Sequence, residues 1–418
     1  MVAIDLAAAK QAIVVADHDS RVLGRRTVYC RPDGLSAHLQ WAHQVAVDAG
    51  FSGVLIACEP TGHRWKAVGE LAAARNESFV CVQPMLVRRA REAEDLTNDK
   101  SDDKDAMIIA RLVTELHFYI PEPPDLLWSR LRHLGARRAQ LVEAGAAARQ
   151  QVRDLLDEAW PAALGAAAAP FRSYTWLAGM LAVDCDRALI AGLDLAEFTR
   201  LALQELPALG GKRLHQRTLK ALFAAAGRSP DRDHSGAIER ARYALADIAR
   251  IRDERTEIEQ AMVSILDQLD LTELVTSIPG LSAIGGAAVL AEIGDPTRFD
   301  SARAIVKHAG LCPRANSSGR YSGSTKISGR GRPGLRTAAW QAVIGMWQHN
   351  PVVSDRYRHL TTRTDNKLHP IQARTALAAA LLRQLWVVVV TRTPWDPEIA
   401  RGRARRTITS SKEPVTAA

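Results

Sequence analysis

The first third of the chain constrains the fold most, because strand and helix signals alternate there in one definite order. The apolar runs Val2 to Ile4, Ile13 to Val15 and Val22 to Tyr29 are separated by brief turns, which predicts a meander of three strands. A helix, a buried strand, a second helix and another strand are expected next, at about 33–49, 54–57, 64–74 and 79–82. Three strands followed by this alternation predict a mixed sheet.

From about Leu126 the pattern becomes helical. Two long stretches, near 126–156 and 237–269, place apolar residues three or four positions apart and charges on the other face, which predicts an antiparallel coiled coil. An alanine-rich segment at about 162–234 lies between them and is expected to form short helices, with no chemistry assigned. Further on, Ile278-Pro279-Gly280-Leu281 and the helices expected at 283–293 and 301–309 resemble a helix-hairpin-helix, whose turn brings backbone N–H groups near a phosphate.

The predicted fold class is therefore α/β plus all-α, with an amino-terminal domain whose element order is that of ribonuclease H-like proteins. Four parts are expected along the chain. They are an α/β domain at 1–122, a helical coiled-coil region with inserted helices at 123–272, a helical carboxyl-terminal domain with a helix-hairpin-helix-like start at 273–395, and a basic disordered tail at 396–418.

Composition limits the class of protein. The 418 residues carry a formal net charge of +9, an excess that suits a polyanionic partner without proving one. Five scattered cysteines argue against a disulfide framework and a tetrathiolate zinc site. The apolar run from Ala376 to Val390 is interrupted by Arg383 and is short for a membrane span, and no signal peptide is readable. A soluble, cytoplasmic protein is expected.

Four acidic residues stand at the ends of predicted elements. Asp5 closes the first strand, Glu59 closes the fourth, and Asp102 with Asp105 opens a helix. Singly, each has a structural interpretation: a strand end, a turn residue, a helix N-cap and a residue that favours the helix dipole. In this combination they favour a metal site, because converging carboxylates are the oxygen ligands that Mg²⁺ requires.

A strongly basic segment, 314–336, contains six cations and no acid. Interleaved glycines would let its backbone approach phosphates, although a solvated linker is the alternative. Its serines are candidate nucleophiles, since a nearby metal ion can activate a hydroxyl for attack on phosphorus. The predicted nucleic-acid-binding cations are Arg314, Arg320, Lys326, Arg330, Arg332 and Arg336.

Several short motifs occur together in a fixed order. They are Ile4-Asp5, Glu59-Pro60-Thr61-Gly62, Lys100-Ser101-Asp102-Asp103-Lys104-Asp105-Ala106, Ile278-Pro279-Gly280, Arg298-Phe299, Ala309-Gly310-Leu311-Cys312-Pro313 and Ser317-Ser318-Gly319. In this set the chain resembles a DEDD transposase of the insertion sequence 110 family, a group of bridge-RNA-guided recombinases.

The resemblance implies a RuvC-like first domain in which Asp5, Glu59, Asp102 and Asp105 bind Mg²⁺. It also implies a serine that links covalently to DNA: Ser318 is the first choice, with Ser317 and Ser328 in reserve. Expected partners are donor and target DNA, a noncoding bridge RNA and further copies of the chain in a homo-oligomer.

Other functions are compatible with the same residues. A Holliday-junction-type, metal-dependent endonuclease would use water and form no covalent intermediate, and a non-catalytic nucleic-acid-binding protein would keep its carboxylates for structure. A sugar-kinase-like first domain is disfavoured, because no glycine-rich phosphate loop follows the first strand.

Overall fold

The computed structural model describes residues 1–7, 9–29, 34–60, 62–94, 102–121, 125–228, 234–314, 317–318, 321–322 and 326–402. The chain divides into two compact units, Met1–Pro123 and Pro124–Ala418. The first is mixed α/β and the second is mostly helical. The finer division into four parts stays a prediction.

The first unit is built on a five-stranded sheet with the order β3-β2-β1-β4-β5. β1 pairs antiparallel with β2, and β2 with β3, whereas β1, β4 and β5 run parallel. This mixed sheet has the order expected of a ribonuclease H-like domain. The strands are β1 Val2–Leu6, β2 Lys10–Ala16, β3 Val22–Tyr29, β4 Leu55–Cys58 and β5 Ser78–Cys81.

Helices cover both faces of this sheet, so its central strands are almost wholly apolar. Side chains alternate along a strand: Ile4 faces the core with α1 and α2, and Ala3 faces the core with α3 and α4. The four helices are α1 Gly34–Asp48, α2 Arg64–Ala74, α3 Pro84–Glu94 and α4 Asp102–Thr114.

The second unit is organised by two 34-residue helices, α5 Leu126–Ala159 and α11 Ser235–Gln268. They pack antiparallel: Arg137, early in α5, bonds to Glu254, late in α11, while His234, just before α11, lies 3.7 Å from Glu158 at the end of α5. Their apolar stripes are buried between them, and Asp125 caps α5 by accepting from Leu127 N and Trp128 N.

Short helices fill the segment between the two long ones, around a core of their own. Trp160 and Trp176 are fully buried there, and their indole N–H groups donate to the Ala225 and Ala163 carbonyls. The helices are α6 Pro161–Leu164, α7 Tyr174–Leu181, α8 Arg187–Ala191, α9 Leu195–Glu205 and α10 Gln216–Ala226.

The carboxyl-terminal helices form a further core with parts of α5 and α11. α17 is long and apolar enough to cross a membrane by length and composition alone, yet most of it is buried inside this unit, as in the core helix of a soluble protein. The helices are α12 Thr272–Thr276, α13 Ala283–Ile293, α14 Ala302–His308, α15 Pro333–Met346, α16 Pro351–Thr362, α17 Pro370–Thr391 and α18 Pro397–Ala400.

The turn before α13 explains one departure from a helix-hairpin-helix pattern. Gly280 has φ of +79° and approaches the α15 backbone so closely that a Cβ would lie 2.8 Å from Met346 Cα. Helix-hairpin-helix turns usually carry a second glycine at the position of Ser282; here the Ser282 hydroxyl caps α13, accepting from Gly285 N at 3.1 Å.

Candidate active site and nucleic-acid interface

Asp5 and Glu59 lie at the ends of neighbouring parallel strands. The register pairs Ile4 with Cys58, so the next position on each strand places Asp5 beside Glu59. Each acid stands two positions after an alanine, Ala3 or Ala57, that faces α4, so both acids lie on that same face of the sheet. Both are half-buried. Two carboxylates therefore share one edge and one face of the sheet.

α4 brings the other two acids to that face. Its residues Ala106, Ile109 and Val113 are buried against the sheet. Asp105 lies four positions before Ile109 and is itself buried, so it belongs to the inward face of the helix. Asp102 begins α4, while its side chain lies outside the described part of the structure.

Asp105 is almost completely buried, with 3% of its side chain exposed. Its carboxylate is compensated by Arg91 of α3, whose Nε donates to Oδ1 at 2.6 Å. A buried charge without such a partner would be strongly unfavourable. The Arg91 guanidinium therefore neutralises Asp105, one of the four predicted metal ligands.

The donor set fits a divalent cation in chemistry, and Asp5, Glu59 and Asp105 lie on the same side of the sheet. The four positions offer carboxylate oxygens, the ligands that hard divalent ions prefer. Among the side chains that are described, however, no three histidines, cysteines, aspartates or glutamates are gathered closely enough to hold a metal ion. Closing the site would require Asp105 to direct an oxygen to the ion, either Oδ2 beside the Arg91 bond or Oδ1 in place of it, and would involve Asp102.

Two thiols lie on the opposite face, directly behind the strand ends. Cys58 and Cys81 are register partners on β4 and β5, both fully buried, and their side chains are hydrogen-bonded. That bond, burial and the nearby Glu59 carboxylate raise the pKa of Cys58. Its thiol stays protonated and offers no thiolate ligand to a metal.

The serine region of the second unit consists of short antiparallel strand pairs. Ser317–Ser318 (β7) pairs with Tyr321–Ser322 (β8), and Pro313–Arg314 (β6) pairs with Lys326–Ile327 (β9). The side chains of Ser317, Ser318 and Arg320 lie outside the described part of the chain. The predicted nucleophile therefore has a known backbone pairing only.

Ser328, the other reserve, is held in a structural role. Its hydroxyl donates to the Gly310 carbonyl at 3.2 Å and accepts from the Cys312 thiol at 3.4 Å. These bonds tie the end of the basic segment to the turn after α14. A hydroxyl engaged in this way is a poorer candidate for attack than one on the β7–β8 hairpin.

The basic residues divide into two groups. Arg314, Lys326 and Arg330 are exposed and can meet a phosphate directly. Arg332 instead pairs with Glu292 at 3.2 Å, and Arg336 donates to the Ala309 carbonyl at 3.0 Å. The second group anchors the segment to α13 and α14.

A cation cluster behind this segment was not predicted from the sequence. His308 is half-buried beside Arg298, Arg332 and Arg132, and partial burial followed by these three charges lowers its pKa to about 4. Gly331 crosses so close to the α14 end that a Cβ would collide with the His308 carbonyl oxygen. Arg298, in a motif, and Arg332, as a nucleic-acid-binding cation, are singled out by the sequence, but their meeting at His308 is not.

The chain matches two family models. The model described as "Transposase", DEDD type of insertion sequence IS110, matches residues 2–161, and the model "Transposase IS116/IS110/IS902 family" matches residues 272–358. The matched ranges hold the strand-end acids and α4 in the first case, and α12 to the start of α16, including the serine segment, in the second. Residues 162–271 lie between them.

Three curated relatives come from insertion elements. The IS117 mini-circle protein of Streptomyces coelicolor, named as a candidate transposase, is 30% identical over 64% of this chain. An IS116 protein of Streptomyces clavuligerus is 27% identical over 78%, and an IS900 protein of Mycobacterium paratuberculosis is 29% identical over 71%. The matched stretches span 63%, 80% and 73% of these relatives, respectively.

Proposed function

Because the chain belongs to the IS116/IS110/IS902 family of transposases, we propose that it cuts and rejoins DNA strands during transposition of an insertion element. The observation that supports this most is the placement of Asp5 and Glu59 side by side on the face covered by α4, the helix that carries Asp102 and Asp105. Scattered structural acids would have no reason to share that face.

Asp5, Glu59, Asp102 and Asp105 would hold a divalent cation, with Mg²⁺ as the proposed ion. When bound, it would polarise the phosphodiester and lower the pKa of the attacking hydroxyl. The chain's own part would be to bring the oxygen ligands together, with Asp105 offering the ion an oxygen while Arg91 offsets the carboxylate charge.

Ser318 is the proposed nucleophile. Its hydroxyl oxygen would bond to phosphorus while the sugar oxygen of the cut strand leaves with a proton, so that the phosphodiester is kept as a serine–DNA ester. Attack by a DNA hydroxyl on this ester would reverse the step and join the new strand. Ser317 remains in reserve on the same hairpin, and Ser328 is the weakest of the three because its hydroxyl is engaged.

Exposed Arg314, Lys326 and Arg330 would bind the phosphates next to the attacked one. The family resemblance supports three further parts of the proposal: a noncoding bridge RNA that selects donor and target DNA, a homo-oligomer, and action in the cytoplasm. Base pairing rather than side chains would then read the DNA sequence.

The test uses the purified chain with RNA transcribed from the DNA flanking its gene, plus donor and target DNA. With Mg²⁺, joined DNA and a protein–DNA adduct on a denaturing gel are expected; with EDTA, neither. Asp5→Asn should lower the rate at least ~100-fold, corresponding to the loss of several kcal/mol of charge stabilisation. Asp48→Asn, an exposed acid at the end of α1, is the matched control.

Ser318→Ala should abolish both the adduct and the joined product, whereas Ser322→Ala on the paired strand should preserve them. A Ser318→Ala enzyme that still recombines DNA would refute the serine assignment. Cleavage without any adduct in the unmodified enzyme would instead identify a junction endonuclease that uses water.

A further inference from the structure

Three adjoining cavities open where α5, α11 and the segment after α6 meet. They measure about 840, 220 and 610 Å³ and share Arg172 in their linings. Arg149 and Arg153 come from α5, Arg255 from α11, and Phe171 and Arg172 from the segment between them. We call this the arginine groove, and every charged side chain that lines it is basic.

The groove is short of negative charge. Within the described residues, no carboxylate forms an ion pair with Arg149, Arg153 or Arg172. Arg255 has one carboxylate partner among these residues, Glu259 at 3.7 Å, and Glu259 already accepts a hydrogen bond from Arg138 at 2.8 Å. The buried Nε of Arg255 has no hydrogen-bond partner among the described residues. Burial and the neighbouring Arg255 charge lower the pKa of Arg149.

Two arginines elsewhere on the same two helices are neutralised by carboxylates. Arg137 makes a two-pronged pair with Glu254 at 2.6 and 3.0 Å, and Arg250 bonds to Asp247 at 3.2 Å. In the groove, Arg149 and Arg255 are half-buried next to each other, so an entering anion would relieve the repulsion between them. Arg153 and Arg172 are exposed at the same groove and can contact that anion from the solvent side.

Aromatic rings stand among these cations. The Arg153 guanidinium lies 5.5 Å from the Phe171 ring centroid. The Arg252 guanidinium lies 3.9 Å from the ring centroid of Tyr174, a residue that is 40% exposed. Proteins that bind single-stranded nucleic acid use aromatic rings to stack on the bases and cations to bind the phosphates of the backbone. The groove offers both kinds of side chain. An acidic peptide would use the cations but not the rings.

From this geometry we infer that the arginine groove binds a single-stranded segment of nucleic acid, with phosphates on Arg149, Arg153 and Arg172 and a base against Phe171 or Tyr174. Single-stranded substrate is specified because duplex bases are stacked on one another and are not free for protein rings. The segment can come from RNA or from separated DNA. The inference rests on the proposed function only for the presence of nucleic acid, and not on the metal or serine assignments.

The test measures binding by fluorescence anisotropy, with the full chain in EDTA so that no catalysis intervenes. The probes are one short sequence as labelled single-stranded RNA, as single-stranded DNA and as duplex DNA. The groove variant is Arg149→Gln/Arg153→Gln/Arg172→Gln. The matched control, Arg200→Gln/Lys220→Gln/Arg240→Gln, removes three exposed cations that do not line the groove.

The groove variant should bind single strands at least ~10-fold more weakly, and the slope of log affinity against log salt should fall by about 2, since each single-strand phosphate contact contributes roughly 0.7. The control should stay within twofold of the unmodified chain. Ultraviolet crosslinking should attach the bound strand to the peptide containing Phe171 and Tyr174. The single-stranded probe that binds with the higher affinity, RNA or DNA, identifies which nucleic acid the groove takes.

Equal losses in the groove and control variants would overturn the inference, because they would indicate charge alone. So would undiminished binding by the groove variant, or a duplex preference in the unmodified chain. A variant that keeps its affinity but loses its oligomeric state on sedimentation would reassign the groove to a protein interface. If the triple variant unfolds, the exposed Arg172→Gln alone carries the same test.

Discussion

At the scale of single residues, the Arg91–Asp105 pair connects the stability of the first unit with the proposed metal role of Asp105. The pair is nearly enclosed, with 19% and 3% of the two side chains exposed. A guanidinium at a proposed ligand keeps the fold stable before the ion binds. If the proposed ion displaced Arg91, the free energy of separating the pair would reduce the metal affinity.

Arg91→Gln should therefore destabilise the first unit by about 3 kcal/mol, because it leaves a buried carboxylate uncompensated. Mg²⁺ should restore more of that loss in the variant than it adds to the unmodified chain. Urea unfolding with and without Mg²⁺ measures both effects. The control is Arg88→Gln on the same helix, whose exposed pair with Glu92 should contribute less than about 1 kcal/mol. An equal response to Mg²⁺ in all three proteins would contradict the ligand role of Asp105.

His308 gives the second unit a defined pH dependence. Its pKa is about 4 in the folded chain, against 6.5 ordinarily, so the unfolded chain binds the extra proton between these values. Stability should fall as the pH drops from about 6.5 towards 4, and should not change through this group above that window. His308→Gln should lower the pH slope of the unfolding free energy by up to about one proton. An unchanged slope would place the titration elsewhere.

At the scale of elements, close approaches of helix backbones decide where glycine is needed. α5 crosses α13 at Gly135, where an added Cβ would collide with that of Ala291. The apolar spacing of α5 shows which face is buried but not where a partner comes within backbone distance. That distance is a property of the crossing, not of either helix.

Gly135→Ala should cost about 1–3 kcal/mol through overpacking, despite alanine's higher helix propensity. Gly236→Ala, in the first turn of α11 with nothing within 4 Å of the added Cβ, should be neutral or slightly stabilising. Thermal unfolding of the two variants gives the comparison. Stabilisation by both substitutions would show that α5 and α13 are farther apart at Gly135 than in this structure.

At the scale of the whole molecule, the two units have separate hydrophobic cores. Two cores lie on the two faces of the sheet within residues 1–123, and two others lie within 124–418. A chain that buries its apolar surface within each unit can fold each one alone.

Residues 1–123, produced alone, should unfold in one cooperative transition by circular dichroism. Residues 1–101 should not, because that truncation removes α4, which supplies Ala106, Ile109 and Val113 to one face of the sheet. If 1–123 lacks a cooperative transition while the full chain has one, the units depend on each other for folding.

Local patterns settled a large part of this protein in advance. The three-strand meander, the strands and helices that follow it, and the two long helices all come from apolar spacing, which depends on near neighbours only. The resemblance to a transposase family came from short motifs in order, and two family models confirmed it. Strand register then places Asp5 beside Glu59, a placement expected because neighbouring parallel strands end at one edge.

Tertiary structure decided what depends on distant parts of the chain meeting. The Arg91 partner of Asp105, the cations around His308 and the structural bonds of Ser328 follow from packing between separate elements, which no local pattern contains. The arginine groove is the clearest case, since its cations come from α5, α11 and the segment after α6. In the sequence they are ordinary solvated arginines; only the folded chain brings them together without enough negative charge to neutralise them.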